Sequence, residues 1–216
     1  MVLDLRGHGL SMPSDLASVT LEDYVADIAS VAPQIEAARG QAPILGGWQT
    51  GALLAMMYAA SGAATPGLLL FSPLLPLEAG GKAPIEVVRS YAGEVLSPQA
   101  FGIPTADSDR AAEGMDGLDR DEVDELLART SGEQESGIAF RQALRGVSIS
   151  ADAFSLPVLS VQGENERAVG DALAHHFKAE AAFVPGGSWG IVRHEQTVID
   201  ATAIVDAWLT KNFDEA

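Results

Sequence analysis

Residues 44–60 read ILGGWQTGALLAMMYAA, and this stretch decides the fold. Pro43 to Gly46 is a short apolar run typical of a buried strand. The residues from Thr50 to Ala60 are apolar and rich in alanine and methionine, which predicts a helix. The glycines at 47 and 51 flank Gln49 and permit a tight backbone turn. The sequence therefore predicts a tight strand-to-helix turn around Gln49.

The same alternation of apolar strand and helix extends outward along the chain. Further strands are predicted at Val2–Leu5, Leu68–Phe71, Val158–Val161 and Ala181–Val184. Helices are predicted after a Thr20–Asp23 capping box, shortened or kinked at Pro33, and over Gly170–Phe177 and Glu195–Phe213. Short hydrophobic strands that alternate with helices predict an α/β fold, a mostly parallel sheet flanked by helices on both faces.

Residues 74–154 interrupt this alternation and are rich in glycine, proline and acidic side chains. Thr105–Glu135 contains 11 acids and 3 bases, so we interpret it as mostly a solvated acidic face. Asp107-Ser108-Asp109 does not fit a calcium loop, because the sixth position is Ala112 rather than glycine. We predict a core of residues 1–73 and 155–216, an inserted helical cap of residues 74–154, and no metal site.

Composition excludes several classes of function. The chain of 216 residues has 13 Lys and Arg against 30 Asp and Glu, a net charge of −17. Such a charge repels phosphate backbones and anionic lipids, so we expect neither nucleic acid nor a membrane as partner. There is no cysteine, which removes disulfides and thiolate chemistry. Without an apolar leader or spanning run, we predict a soluble, cytoplasmic protein that needs no cofactor.

Three stretches together resemble the α/β-hydrolase superfamily, most closely its monoacylglycerol lipase and lysophospholipase (serine aminopeptidase S33-like) branch. They are LDLRGHGLS at 3–11, ILGGWQTGALLAMMYA at 44–59, and the pair PVLSVQGENERAV at 157–169 and PGGSWGIVRHE at 185–195. The resemblance covers the chain except the cap and implies the family fold. It also implies a structural role for His8 in the RGHG turn.

The resemblance assigns the family's catalytic positions to three residues. The family's motif G-x-S-x-G forms a sharp, strained strand-to-helix turn, which the resemblance therefore implies at Gln49. Gln49 replaces the nucleophilic serine of that motif, and its amide nitrogen is not a useful nucleophile. Glu166 matches the acid that orients the histidine. Trp189 occupies the histidine position, and an indole N–H only donates. The acid is kept, whereas the nucleophile and the base are both replaced.

The resemblance also implies a pocket and a gap. Thr50 would supply one N–H of the oxyanion hole, and Trp48 would line the pocket. The family's first three strands and the second oxyanion donor precede the motif at Leu3, so they are absent from this sequence. One of those strands would lie between Val2–Leu5 and Pro43–Gly46. We expect direct pairing of these two strands, a partner chain or a homo-oligomer to cover the edges. The alternative is that Met1 is a downstream start of a longer gene.

Three hypotheses of function follow. The first is a catalytically degenerate hydrolase homologue whose pocket binds a small apolar or acyl-type ligand. The second is an active ester hydrolase or lyase with a rebuilt site that uses Glu166 or His194, the latter as a substitute base. The third is an interaction protein, one part of a split or oligomeric assembly.

Overall fold

A parallel sheet of four strands forms the centre of the protein. The computed structural model describes residues 1–101, 115, 118–130 and 133–213. In chain order the strands are β1 (Leu45–Trp48), β2 (Leu68–Phe71), β3 (Val95–Leu96), β4 (Glu135–Ser136), β5 (Val158–Gly163) and β6 (Glu180–Val184). The central sheet has the order β1-β2-β5-β6, while β3 and β4 form a separate antiparallel pair. The predicted α/β class is therefore confirmed.

Helices cover both faces of this sheet. They are α1 (Leu21–Arg39), α2 (Thr50–Ala60), α3 (Ile85–Ser90), α4 (Arg120–Thr130), α5 (Gly137–Arg145), α6 (Arg167–Phe177), α7 (Gly190–Arg193) and α8 (Glu195–Phe213). Leu68 and Leu70 of β2 enter the larger core cluster with α1, α2 and α6, whereas Leu69 and Phe71 pack into the cluster of α7 and α8. Within the described residues, no helix has the length and apolarity needed to cross a membrane.

The boundaries of α1 are set by its two caps. Thr20 and Asp23 form the predicted capping box, in which each side chain accepts from the other residue's backbone N–H. Gly40 ends the helix in the left-handed conformation at φ 78°. Pro33 lies inside the helix and does not end it, so of the two predicted effects the shortening is wrong, while the kink stays a prediction. The stop signal at Gly40 determines the length instead.

The predicted strand at Val2–Leu5 does not form. Its residues have no regular structure, and Val2 is 93% exposed. Asp4 is instead used locally, because its carboxylate accepts from the N–H of Leu10 and its carbonyl from the hydroxyl of Ser11. A strand needs a hydrogen-bonded neighbour to satisfy its backbone groups, and this segment pairs with no strand among the described residues.

The edge of the sheet at β1 is consequently open within the described part of the chain. β1 pairs with β2 alone there, and Gly46 is exposed. Direct pairing of the Val2 and Pro43 segments was the wrong expectation, since the first of them is not a strand. The alternatives of a second copy or a partner chain stay predictions.

Residues 74–154 are tied to the start of α1 over long sequence separations. The hydroxyl of Ser136 donates to the carbonyl of Val19 at 2.5 Å, and the N–H of Leu21 donates to the side-chain oxygen of Gln142 at 2.9 Å. Ala139 and Ala143 of α5 belong to the larger core cluster. Asp107-Ser108-Asp109 lies outside the described residues.

The turn between β1 and α2 brings two glycines together. A Cβ added to Gly47 would lie 2.2 Å from the carbonyl carbon of Gly51, a distance that no real Cβ tolerates. A Cβ added to Gly51 would have no neighbour within 4 Å. The steric requirement for glycine therefore holds at position 47 and not at position 51.

This difference predicts opposite effects of two matched substitutions. Gly47→Ala should lower the free energy of unfolding by about 3 kcal/mol or more, because the backbone must shift to relieve the clash. Gly51→Ala should be neutral or raise it by up to about 1 kcal/mol, since alanine is the better helix former. Urea unfolding of both variants measures this. Equal stability of the two would contradict the steric argument.

Candidate functional site

The backbone at Gln49 is strained. Its φ of 52° and ψ of −116° lie in a region that non-glycine residues rarely occupy. Hydrogen bonds hold it there: its N–H donates to the carbonyl of Phe71 at 3.0 Å, and its own carbonyl accepts from the N–H groups of Ala52 and Leu53. The predicted strained turn is confirmed. Within the described residues the Gln49 side chain makes no hydrogen bond, so its carboxamide remains available at the surface of the turn.

Ser72 and Glu166 form a second element of the site. Ser72 directly follows β2, is buried and also has a positive φ, of 40°. Its hydroxyl donates to the Glu166 carboxylate at 2.5 Å. The guanidinium of the next residue, Arg167, lies 4.0 Å above the ring of Phe183. Glu166 is thus held by a neutral hydroxyl at the carboxyl end of the sheet.

Trp189 packs against the residue that precedes Gln49. The rings of Trp48 and Trp189 lie 4.9 Å apart in an edge-to-face arrangement. The indole N–H of Trp48 donates to the carbonyl of Ser188 at 2.9 Å, which fixes the loop that carries Trp189. An indole pair therefore lies beside the turn, at the position where the family resemblance places a histidine.

The same tryptophan also connects this loop to α4. Trp189 packs on a small apolar cluster made of Met115, Leu118, Val123 and Leu126. The guanidinium of Arg193, four residues further on, lies 3.3 Å from the Glu125 carboxylate. Two contacts, one apolar and one ionic, thereby link the loop after β6 to the inserted segment.

All three predicted catalytic positions lie at the carboxyl ends of the strands, where sites of parallel α/β sheets are found. Gln49 follows β1, Glu166 follows β5, and Trp189 lies in the loop after β6. Gln49 and Glu166 connect through the last residue of β2 and the residue after it, because Phe71 binds the first and Ser72 the second. Their catalytic roles stay predictions.

His194 lies at the start of α8. Its Nδ1 accepts from the backbone N–H of Thr197 at 3.4 Å and lies 3.1 Å from the hydroxyl of the same residue. These contacts satisfy a donor that the first turn of a helix otherwise leaves unpaired. The proposed role of substitute base stays a prediction, and the contacts give His194 a structural task as a helix cap.

A cavity of about 330 Å³ adjoins the strained turn. From the turn and α2 it is lined by Trp48, Gln49, Thr50, Gly51 and Leu54. The predicted pocket residues Thr50 and Trp48 therefore do face a cavity. A larger cavity of about 610 Å³ opens near Pro157 and Glu180, at the amino ends of β5 and β6 and away from the turn.

The opposite wall of the smaller cavity contains three polar residues that sequence reasoning did not select. Tyr24 donates its hydroxyl to the Glu135 carboxylate at 2.6 Å, and the backbone N–H of Ser136 donates to the same oxygen at 2.6 Å. His8 lies with its Nε2 3.9 Å from the other carboxylate oxygen. Burial, together with the bond to Glu135, raises the pKa of Tyr24, so the phenol stays protonated.

These three residues could not be recognised as a group from sequence. Tyr24 belongs to the apolar stripe of α1, and 111 residues separate it from Glu135. His8 lies in the RGHG turn, to which the resemblance gives a structural role. Only the hydrogen bonds between α1 and the inserted segment bring them together, and no local pattern encodes those bonds.

Comparison with known proteins identifies the family. The family model described as serine aminopeptidase, S33, matches residues 1–183. Among curated proteins no relative matches the chain. Several solved structures share the fold at low identity.

Three of these structures illustrate the likeness. MenH from S. aureus aligns with a TM-score of 0.64 at 15% identity, over 97% of this chain and 82% of its own. The enol-lactonase from Burkholderia xenovorans LB400 aligns with a TM-score of 0.63 at 18% identity, over 96% of this chain and 79% of its own. E-2-(acetamidomethylene)succinate hydrolase aligns with a TM-score of 0.60 at 21% identity, over 98% of this chain and 80% of its own. These structures share the fold, and the family model that matches residues 1–183 shows that the chain belongs to the serine aminopeptidase S33 family of α/β-hydrolases.

Proposed function

We propose that this protein is a catalytically degenerate member of its family that binds a small apolar or acyl-type ligand. The observation that carries the proposal is the occupancy of the strained turn by Gln49. The turn is the one that exposes a nucleophile in hydrolases of this fold, and a carboxamide there cannot attack a carbonyl carbon. The turn thus has the geometry that exposes a nucleophile, but its central residue is not a nucleophile.

The neighbouring residues support the same proposal. Trp189 supplies an indole, which cannot accept a proton as a general base does. Its contacts with Trp48 and with the α4 cluster fill the space beside the turn. Glu166, bonded to the Ser72 hydroxyl, has no imidazole beside it among the described contacts. Serine-hydrolase chemistry requires these groups to act together.

The ligand-binding part of the proposal rests on the cavity beside the turn. Leu5, Trp48 and Leu54 provide apolar walls, as expected for a site that binds small organic molecules.

The motifs of the chain are the basis for placing it nearest to the monoacylglycerol lipase and lysophospholipase branch of the family. We further propose that it acts in the cytoplasm and that residues 74–154 form its cap.

The first test is the absence of serine-hydrolase activity. The unmodified chain should not hydrolyse short p-nitrophenyl esters and should not be labelled by fluorophosphonate probes, because loss of the nucleophile or base costs about 10⁴- to 10⁶-fold in rate. A pH-controlled hydrolysis series measures this. Turnover that disappears in Glu166→Gln or His194→Ala would establish a rebuilt active site and overturn the proposal.

Ligand binding is tested by tryptophan fluorescence. Methyl hexanoate should change the emission of the chain on titration, because Trp48 lines the cavity, and mass spectrometry should recover the ester intact. The response should disappear in Trp48→Phe. It should persist in Trp208→Phe, since Trp208 is buried against Phe213 in a different cluster. A response lost equally in both variants, or no response at all, would contradict binding at this cavity.

A second candidate function is favoured by the open edge of β1. We propose as the alternative that two copies of the chain pair along this edge and continue the sheet, since unpaired strand edges readily template further pairing. Exposed Gly46 offers no side chain to block such an approach. The net charge of −17 opposes association, so pairing should strengthen as salt screens the charge.

Light scattering after gel filtration tests this alternative. The chain should form a dimer more readily at 500 mM than at 50 mM NaCl. Gly46→Lys should reduce the dimer fraction, because a charged edge side chain disfavours strand pairing. Ala38→Lys on the exposed face of α1 is the matched control, with the same change of charge, and should leave the fraction unchanged. A monomer under both conditions would exclude the edge as an interface between copies.

A further inference from the structure

The cavity beside Gln49 contains a pair of hydrogen-bond acceptors that face each other. The Oε1 atom of Glu135 already accepts from Tyr24 and from the backbone of Ser136, which anchors the carboxylate. Its Oε2 atom is oriented toward His8, with 3.9 Å between this oxygen and the imidazole Nε2. That distance exceeds a hydrogen bond, so the two atoms are close without being bonded directly.

The hydrogen bond on the other side of the His8 ring shows which ring nitrogen carries the proton. Its Nδ1 lies 3.0 Å from the carbonyl oxygen of Arg6. A carbonyl can only accept, so Nδ1 carries the proton and the neutral ring has its lone pair on Nε2. With the ring in this neutral form, both atoms across the 3.9 Å gap are acceptors, and a group that bridges them must donate at least two hydrogen bonds.

The geometry admits such a donor. A nitrogen placed off the line between the two acceptors can lie about 2.8 Å from each of them, an ordinary hydrogen-bond length. An ammonium group has three N–H donors and no acceptor, which matches two converging acceptors. An alcohol has a single donor and would leave one acceptor unsatisfied.

The charge and the apolar surface of the cavity point to the same chemistry. Asp4 and Glu135 line it, and no lysine or arginine does within the described residues. The nearest base along the chain, Arg6, is engaged with Asp23 and Asp27 on α1. The side chains of Leu3, Leu5 and Leu54 supply an apolar wall for the rest of the ligand.

We propose that this cavity binds a primary ammonium group carried on an apolar body, with Glu135 and His8 as its two acceptors. The proposal rests on the proposed function and names the ligand class for the same site. The bond to the carboxylate is charge-assisted and roughly twice as strong as a neutral one, so it dominates the selection. The His8 lone pair adds direction, and the leucines contact the alkyl chain.

Calorimetric titration of the full chain with three probes of similar length tests the proposal. Hexylammonium should bind at least tenfold more tightly than 1-hexanol or methyl hexanoate at neutral pH. Glu135→Gln should weaken hexylammonium at least tenfold, while its amide oxygen can still accept from Tyr24 and preserve the fold. Glu94→Gln, with the same change of charge on an exposed side chain outside the cavity, should alter the affinity less than twofold.

His8→Ala provides a second variant that does not depend on the anchoring of Glu135. It removes one acceptor and should weaken hexylammonium severalfold without altering the binding of 1-hexanol. Equal affinity for the three probes, or an unchanged affinity in both Glu135→Gln and His8→Ala, would overturn the ammonium site and leave the apolar-ligand function standing. Ester turnover would have the reverse consequence, since it contradicts the degenerate function and not the ammonium site.

Discussion

The close approach of the backbone at Gly47 to that at Gly51 is the constraint on which the rest of the site depends. It lets β1 pass into α2 with no intervening loop, so the Gln49 carbonyl can accept the first N–H groups of the helix. The same carbonyl lies 3.4 Å from the N–H of Leu74 and so also contacts the segment after β2. The strained backbone at Gln49 persists because these hydrogen bonds together offset the free-energy cost of its unfavourable φ and ψ.

The sequence predicted those parts of the fold that are encoded locally. Thr50–Ala60, Leu68–Phe71 and Glu195–Phe213 have the predicted boundaries, because apolar periodicity and adjacent caps or breaks determine them. The strand at Val2–Leu5 failed for a physical reason, since an apolar run becomes a strand only beside a partner. Local composition carries no information about whether that partner exists.

In the site, too, only the locally encoded parts could be predicted from the sequence. Gly47 and Gln49 could be placed in a tight turn because the residues of that turn are contiguous and its geometry depends on glycine. The position of Glu166 came from a separate motif of the family resemblance, and its catalytic role stays a prediction. The wall formed by Tyr24 and Glu135 could not, because it depends on a hydrogen bond between two segments far apart in sequence. The contact of Trp189 with the α4 cluster is of the same kind.

The bonds between the start of α1 and the inserted segment bear on how the chain folds as it is made. Leu21 and Gln142 are 121 residues apart, and Val19 and Ser136 are 117 apart. At about 5–20 residues per second, synthesis leaves the first helix without these partners for several seconds. During that interval the buried face of α1 around Tyr24 is exposed to water and to neighbouring chains. The contacts at the start of α1 are therefore completed only when a segment near the two-thirds point of the chain has been made.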